Sequence, residues 1–424
     1  MKLDFMSRAT TLALVALLGT GCSFLGLEEE SDDNTQQAFA ALAVLTAPAE
    51  KSAVVENYAN LAYYTYKDAL TEAEEFKSLV DTFAAKASPT AADLTALQEK
   101  YRQARQVYLL TEAFRFSDGP IDNTSVFTID GEEAEGLLNA WPLDEANLKS
   151  DFITGSQAIT TANLLARNGF GGDESRVTIG WHAIEFILWG EDNTGGSANS
   201  DEYNTIAGQR SSSDFTTAGT GSQNAKRSKF LQVATERLVN DLTLLTAQWD
   251  PSVSNNYRNN TFLVASNQDT VLKSIITGLA TFSQTEWGGE RMKGLTSGSQ
   301  NEDEHSCFSD LTKDDFYYDA QGVLNVITGK FTGRSGTASG PGIGNLISSL
   351  DSLYVSLVSG ATVGRDAYDP TQSWRYDRVI NFSRDSTEDA VHSSLSSARE
   401  TIVGLGSLFT QLGNRMGYSI TVNP

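Results

Sequence analysis

The chain has 424 residues, of which 40% are hydrophobic and 20% charged, and its formal net charge is −23. The length gives room for two domains of ordinary size, and the composition is that of a globular protein. Phosphate binding needs a basic stripe, so this acidic balance excludes nucleic acid as an expected partner.

The N-terminus has the pattern of an export signal. Two basic residues precede an apolar run, and residues 19–21 are small, as they are before a cleavage site. Cys22 comes next, which resembles a bacterial lipoprotein signal in which that cysteine carries the lipid. We therefore predict a signal peptide over residues 1–21, lipidation at Cys22, and an acidic polar tether over residues 22–35.

The predicted location follows from this leader. Ser23 stands where an Asp would favour retention at the inner membrane, so the outer membrane is favoured. No later stretch has the roughly 20 unbroken apolar residues that span a bilayer. We expect a lipid-anchored protein of a bacterial cell envelope, located at the outer membrane and facing the periplasm or the cell surface.

The N-terminal half, residues 36–190, has the apolar spacing of long helices. Val54, Tyr58 and Leu61 fall on one helical stripe. Thr90 and Asp93 have the spacing of a capping box, which predicts that a second long helix begins there. The predicted helices of this half cover about residues 36–85, 91–114, 147–168 and 180–190, with an irregular segment at 117–145.

Residues 191–224 are rich in Gly, Ser, Asn and Thr and lack a core-forming period, which predicts a Gly/Ser-rich loop at a domain boundary or on the surface. Residues 225–424 then return to helical spacing, and no alternating strand pattern is found. We predict an all-α fold of two helical-bundle domains packed together. The predicted helices of the second half cover about residues 230–249, 259–282, 346–357 and 387–412, with another Gly/Ser-rich loop at 331–342.

Residues 180–190 are apolar on every face except for His182 and Glu185. These two residues are three apart, so on a helix they project from the same side. A helix that is apolar all round is usually buried, and a buried carboxylate is costly unless it is paired or bound to a cation. The pair is therefore either half of a transition-metal site or a hydrogen-bonded pair that holds a core together. Phe186 stands where an inverted zinc-peptidase motif has its second His, so other segments must complete any metal site.

Two further groups of polar residues are candidates to complete a metal site with His182 and Glu185. His305 lies among Asp303 and Glu304, in a segment that is otherwise typical of a solvated acidic loop. Glu112 and Arg115 are three apart near the end of a predicted helix. Most such pairs are exposed and contribute little, but the aromatic residues around this one indicate partial burial.

Three separated blocks together resemble the imelysin family, which includes iron-regulated protein A and the insulin-cleaving membrane protease. The first block comprises residues 111–122 and ends with residues 139–145. The second is the Gly-x-His-x-x-Glu signature of Gly180, His182 and Glu185. The third comprises residues 289–292 and 302–310.

The resemblance implies an all-helical protein of two bundle-like domains, with a site at their interface around the His182 helix. It also implies a connection with bacterial iron uptake. The family is classified as a metallopeptidase family as well, so the resemblance implies that activity as an alternative. The signature does not identify the general base that a metallopeptidase needs.

The leading hypothesis is a lipid-anchored envelope protein that binds iron or an iron-carrying ligand and acts with envelope iron-transport components. Mixed imidazole and carboxylate ligands suit iron better than calcium. The predicted metal ligands are His182, Glu185, His305 and Glu290, and the predicted polar support is Glu112, Arg115, Asp122, Asp303 and Glu304.

Two alternatives stay open. One is a zinc-type metallopeptidase with the same ligands and with catalytic residues that the sequence leaves unassigned. The other is a non-catalytic structural or interaction lipoprotein in which the His182–Glu185 pair ties the two bundles together.

Overall fold

Helices dominate the part of the chain that the structure, a computed structural model, describes: residues 46–192, 207–219, 221–296, 304–380 and 384–422. The predicted all-α fold is confirmed. The α-helices are α1 (Lys51–Ala84), α2 (Ala91–Leu109), α3 (Ala134–Leu138), α4 (Glu145–Leu148), α5 (Thr161–Arg167), α6 (Gly180–Trp189), α7 (Gln223–Ala247), α8 (Gln268–Thr281), α9 (Thr312–Thr328), α10 (Ser352–Ala367), α11 (Tyr376–Ile380) and α12 (Ser386–Arg415).

Shorter elements connect these helices. The π-helical segments are Lys149–Ile153, Arg258–Phe262 and Phe282–Arg291, and the 3₁₀ turns are Glu112–Phe114, Phe170–Gly172, Ser212–Asp214, Ala265–Asn267, Lys293–Leu295 and Ile343–Leu346. Strands β1 (Lys330–Thr332) and β2 (Thr337–Ser339) form an antiparallel hairpin in which Phe331 lies opposite Ala338. All of this hairpin except Lys330 lies within residues 331–342, for which the sequence predicts a Gly/Ser-rich loop.

The predicted start of α2 is confirmed. The Thr90 hydroxyl accepts a hydrogen bond from the Asp93 N–H at 3.2 Å, and the Asp93 carboxylate accepts one from the Thr90 N–H at 2.8 Å. The predicted stripe of α1, which includes Val54, Tyr58 and Leu61, is buried. It is buried because α1 packs against both α2 and α7.

Three local predictions differ from the structure. The helix expected over residues 147–168 is divided into α4, a π-helical turn and α5, and Thr160 caps α5 by accepting from the Asn163 N–H at 3.3 Å. The second helix ends at Leu109, before a 3₁₀ turn. Helix α9 was not predicted, because its acidic and aromatic first half obscures the apolar spacing that its second half has.

The long helices pack in two groups. In the first group, α1 and α6 each pack against α2 and α7. In the second, α10 packs against α9 and α12, and α8 packs against α12. Helix α9 also packs on α2, and α8 packs on α1. Helix α7 therefore lies beside the N-terminal helices although its residues were assigned to the second domain. The predicted domain bounds of 36–190 and 225–424 stay a prediction.

Several predicted features lie outside the described residues: the signal peptide, the tether, Cys22, Asp303 and part of the 191–224 loop. Among the helices that are described, none is both long and apolar enough to cross a membrane.

Helix α6 is buried along its whole length, as its composition predicts. Gly180 begins it with a φ of 80°, a left-handed conformation that favours glycine. A Cβ at this position would lie 2.6 Å from the carbonyl oxygen of Leu138. The glycine of the signature therefore lets α6 approach α3 closely, and this approach sets the position of His182.

Candidate functional site

His182 and Glu185 form a hydrogen-bonded pair on α6. His182 Nδ1 lies 2.9 Å from Glu185 Oε2, and both side chains are completely buried. The other carboxylate oxygen, Oε1, accepts hydrogen bonds from the Ser309 N–H at 3.0 Å and from the Ser309 hydroxyl at 2.6 Å. Both oxygens of Glu185 are thus bonded within the protein.

Arg105 of α2 lies at the centre of the cluster that includes this pair. Its Nε lies 3.0 Å from Oδ1 of Asp315, at the start of α9, and its Nη2 lies 3.0 Å from Oδ2 of the same carboxylate. Nη1 donates to Asn139 Oδ1 at 2.9 Å, and Nη2 also lies 3.3 Å from His182 Nε2. The guanidinium therefore connects α2, α6 and α9 through buried polar contacts.

His305 completes the cluster from the segment before α9. Its Nδ1 lies 2.6 Å from Asp315 Oδ2, and its ring centroid lies 5.1 Å from that of His182. The Ser306 hydroxyl donates to the same Asp315 oxygen at 2.6 Å. Because Asp315 accepts the proton of Nδ1, the free lone pair of the His305 imidazole is on Nε2.

Burial sets the protonation states of these groups. It raises the pKa of Glu185 to about 7, against the opposing effect of Arg105. Burial and Arg105 together lower the pKa of His182 well below its usual value, and burial and Arg291 lower the pKa of His305 to about 4. For Asp315, Arg105 and the His305 hydrogen bond outweigh burial and hold its pKa well below the usual range. Both imidazoles are therefore neutral at neutral pH.

The fit of a metal ion to the His182–Glu185 pair follows from these contacts. Every polar atom of the pair already has a partner, and the partner of His182 Nε2 is a permanent cation. Among the described residues, no group of three His, Cys, Asp or Glu side chains is arranged to hold a metal ion. In this arrangement the pair does not fit a metal ion, and its liganding role stays a prediction.

A cavity of about 770 Å³ lies beside the cluster, and His305 and Trp141 are part of its wall. The Trp141 ring also packs against His182, with centroids 4.7 Å apart. The charged residues of the wall are Glu133, Glu135, Glu174, Glu286 and Glu290, opposed by Arg115, Arg291 and Lys293. Carboxylates therefore outnumber basic groups around this cavity.

Arg115 and Arg291 pair with carboxylates of the cavity wall, and Arg291 also pairs with Glu112, which is not part of the wall. Arg291 bonds with Glu112 and lies 2.9 Å from Glu286, and Arg115 lies 3.1 Å from Glu135. Burial raises the pKa of Glu135 to about 7 against the opposing effect of Arg115, whereas the two arginines outweigh burial and lower the pKa of Glu286 to about 2. The two guanidinium groups thus form ion pairs with more than two carboxylates, and one of these, Glu135, has a pKa near neutral pH.

The π-helical segment Phe282–Arg291 positions part of this wall. Hydrogen bonds in a π-helix join residues five apart, and such segments occur frequently at functional sites. The Glu286–Arg291 ion pair has this spacing. Glu286 and Glu290 also line a second cavity of about 650 Å³, on the side of Phe116 and Thr281.

Comparison with known proteins agrees with this fold. The imelysin family model matches residues 62–369, a span that contains both the His182 signature and the cavity. The chain belongs to the imelysin family. The resemblance that the three motif blocks predicted is therefore confirmed. Curated protein sequences give no significant match.

Two solved structures share the imelysin fold with this chain. One is a protein assigned as an iron-regulated protein A precursor from Parabacteroides distasonis, with 17% identity, a TM-score of 0.61, and coverage of 86% of this chain and 96% of that chain. The other is an imelysin-like protein from Psychrobacter arcticum, with 14% identity, a TM-score of 0.55, and coverage of 89% and 99%. At these identities the likeness concerns the fold.

The residues predicted as ligands in this imelysin divide into two pairs. His182 and Glu185 are buried and are not part of the cavity wall, whereas His305 and Glu290 both line the cavity. His305 is close to His182, as predicted. Glu290 is exposed.

The predicted supporting residues also divide. Glu112, Arg115 and Asp122 form one network, in which Arg115 Nε lies 3.2 Å from Asp122 Oδ1. Burial raises the pKa of Asp122. Glu304 is completely buried and is not part of the cavity wall, and burial and the charge of Asp377 raise its pKa well above the usual value.

Sequence reasoning missed Arg105 and Asp315, which are central to the cluster. A signal for Arg105 was present, because it lies four residues after Tyr101 on the apolar face of the predicted helix. A charged residue on such a face is almost never buried unless it is paired. Asp315 gave no comparable signal, since an Asp in the first turn of a helix is common. The other residues without a predicted role are Asn139, Trp141, Ser309, Glu135, Glu286 and Arg291.

Proposed function

We propose that this imelysin is a lipid-anchored protein of the bacterial cell envelope that binds iron, or an iron-carrying ligand, in the cavity beside His305. In this proposal it takes part in iron uptake, with other envelope components as partners. The family, whose members are generally bacterial envelope proteins, supports the location, and the name of the Parabacteroides distasonis relative supports the connection with iron.

The observation that carries the proposal is the arrangement of His305. Metal-binding histidines usually donate their second ring N–H to a carboxylate, which fixes the ring and its tautomer. Asp315 accepts from Nδ1 of His305 in this way, and Nε2 makes no hydrogen bond among the described residues. The imidazole is neutral at neutral pH, which metal ligation requires.

The cavity wall supports the same proposal. Its volume of about 770 Å³ is within the range of small-molecule sites, so a chelated or hydrated ion fits without displacing the core. Glu290 is exposed at the wall, and Glu135 and Glu286 provide further carboxylate oxygens. Imidazole and carboxylate ligands together suit iron, which such a site would hold as bound cargo.

Iron titration of the purified protein tests this proposal. We expect about one equivalent of iron to bind in competition with a weak chelator, and His305→Ala and Glu290→Gln each to weaken binding about 10-fold or more. Glu236→Gln, an exposed carboxylate on α7, is the matched control and should bind as the unchanged protein does. A parallel titration with zinc tests the alternative cofactor.

Two outcomes would overturn the proposal. One is binding that is equal in all four proteins, and the other is no iron binding by the unchanged protein. Glu290 is exposed, so its variant should fold even if His305→Ala does not. The metallopeptidase alternative stays a prediction, and no contact described above favours it.

A further inference from the structure

Three polar atoms of the kind that bind metal ions surround one nitrogen of the Arg105 side chain, Nη2. Around Nη2 lie Asp315 Oδ2 at 3.0 Å, His182 Nε2 at 3.3 Å and His305 Nδ1 at 3.5 Å. Two imidazoles and one carboxylate are the ligand types that iron and related metals use, although here they lie at hydrogen-bond distances rather than at metal–ligand distances. In this protein a nitrogen of a guanidinium group occupies that point.

We infer that Arg105 is a built-in cation that takes the place of a metal ion between His182, His305 and Asp315, and that it keeps the Gly-x-His-x-x-Glu signature free of metal. The signature then joins α2, α6 and α9 as a polar core contact. The inference does not rest on the proposed function, because the cavity ligand would use the opposite nitrogen of His305.

The remaining contacts of Arg105 explain why it stays in place. Its Nε is paired with Asp315 Oδ1 and its Nη1 with Asn139, so each nitrogen of the fork has an acceptor. The side chain is 1% exposed, so the charged group depends on these partners rather than on water. A divalent ion at the same point would face an adjacent positive charge at low dielectric, where repulsion is strong.

Removal of Arg105 should therefore create a metal site. In Arg105→Ala, the two imidazoles and Asp315 would surround an empty position. A shift of the His305 proton from Nδ1 to Nε2 would free the nitrogen that faces this position, and a contraction to about 2.0–2.2 Å would bring the three groups to ligand distances. We expect Arg105→Ala to bind Co²⁺ about 100-fold more tightly than the unchanged protein does. The visible absorption of Co²⁺ reports its coordination.

Second variants locate the new site. His182→Ala in the Arg105→Ala background should abolish the gain in Co²⁺ affinity, whereas Glu290→Gln, which changes only the cavity, should leave it intact. Arg105→Lys keeps a cation at this position and should gain little affinity. Arg102→Ala, a partly exposed arginine on the same helix, is the matched control and should gain none.

Two results would overturn the inference. One is a folded Arg105→Ala protein that binds Co²⁺ no better than the unchanged protein. The other needs no Arg105 variant. If the unchanged protein binds Co²⁺ and His182→Gln abolishes that binding, then a metal ion binds at the signature. Iron binding that fails in the cavity while Arg105→Ala gains Co²⁺ would count against the proposed function alone.

Discussion

The polar cluster around Arg105 and the cavity beside it contain similar residues but use them differently. In the cluster, the side-chain nitrogens and oxygens of Arg105, His182, Glu185 and Asp315 all have partners within the protein. Around the cavity, carboxylates outnumber basic groups and Glu290 is exposed. Buried polar groups that are fully bonded stabilise a fold, whereas available ones can bind a ligand.

His305 belongs to both regions, and this is what relates them. One ring nitrogen is bonded to Asp315 in the cluster, and the residue is also part of the cavity wall. The cluster therefore orients an imidazole for the cavity. Under the proposed function, the signature residues His182 and Glu185 support the site, and residues outside the signature form the surface that a ligand would contact.

The largest expected effect comes from breaking the cluster at Asp315. Asp315→Asn leaves the Arg105 guanidinium buried without its ion-pair partner, which should lower the free energy of unfolding by about 3–5 kcal/mol. Urea unfolding measures this loss. Glu286→Gln, which breaks an ion pair at the partly exposed cavity wall, should cost only about 1–2 kcal/mol. Equal losses in the two variants would contradict the distinction between the regions.

A smaller effect concerns the cavity and depends on pH. Burial raises the pKa of Glu135 from its usual value to about 7 in the folded protein, so between these values the folded state holds a proton that the unfolded state has lost. The contribution of Glu135 to the free energy of unfolding is therefore fully present at pH 4 and is lost as the pH rises through 7. We expect a fall of about 1–2 kcal/mol between pH 5 and 8 after allowance for partial exposure.

Glu135→Gln should remove this part of the pH dependence, which urea unfolding at several pH values measures. Glu132→Gln replaces an exposed carboxylate nearby and should leave the slope unchanged. If Glu135→Gln and the unchanged protein lose stability in parallel as pH rises, then Glu135 is not the group that titrates.

The smallest expected effect is at Ser309. Ser309→Ala removes one of the donors to Glu185 Oε1 but keeps the backbone N–H, so we expect a loss of about 1 kcal/mol in the free energy of unfolding. Ser397→Ala, an exposed serine on α12, should change it by less than about 0.5 kcal/mol. A loss at Ser309 as large as that at Asp315 would mean that Glu185 depends on its hydroxyl donor alone.

Local features of the sequence predicted the structure well where the feature depended on residues of one helix only. The spacing of Thr90 and Asp93 predicted the start of α2, and the spacing of His182 and Glu185 predicted their contact. The split between α4 and α5 was missed because a weak apolar period continued through a turn. Propensity and period describe one segment at a time, and tertiary packing overrides them.

The partners of the signature could not be predicted in the same way. Arg105 precedes His182 by 77 residues and Asp315 by 210, and no spacing rule reaches that far. The motif blocks predicted that His305 would be close, and the structure places it there. What they could not predict is which cation lies between the two histidines, because that depends on how α2 packs against α6 and α9.

The charge that Arg105 supplies has a consequence for the life of the protein. Because its interior positive charge is part of the polypeptide, the chain can reach its folded form without an imported ion. If the protein binds iron as proposed above, it is needed most when iron is scarce, and a scaffold that required iron in order to fold would then be least abundant. The proposed function and the metal-free cluster together predict that cells starved of iron still contain this protein folded and resistant to proteases.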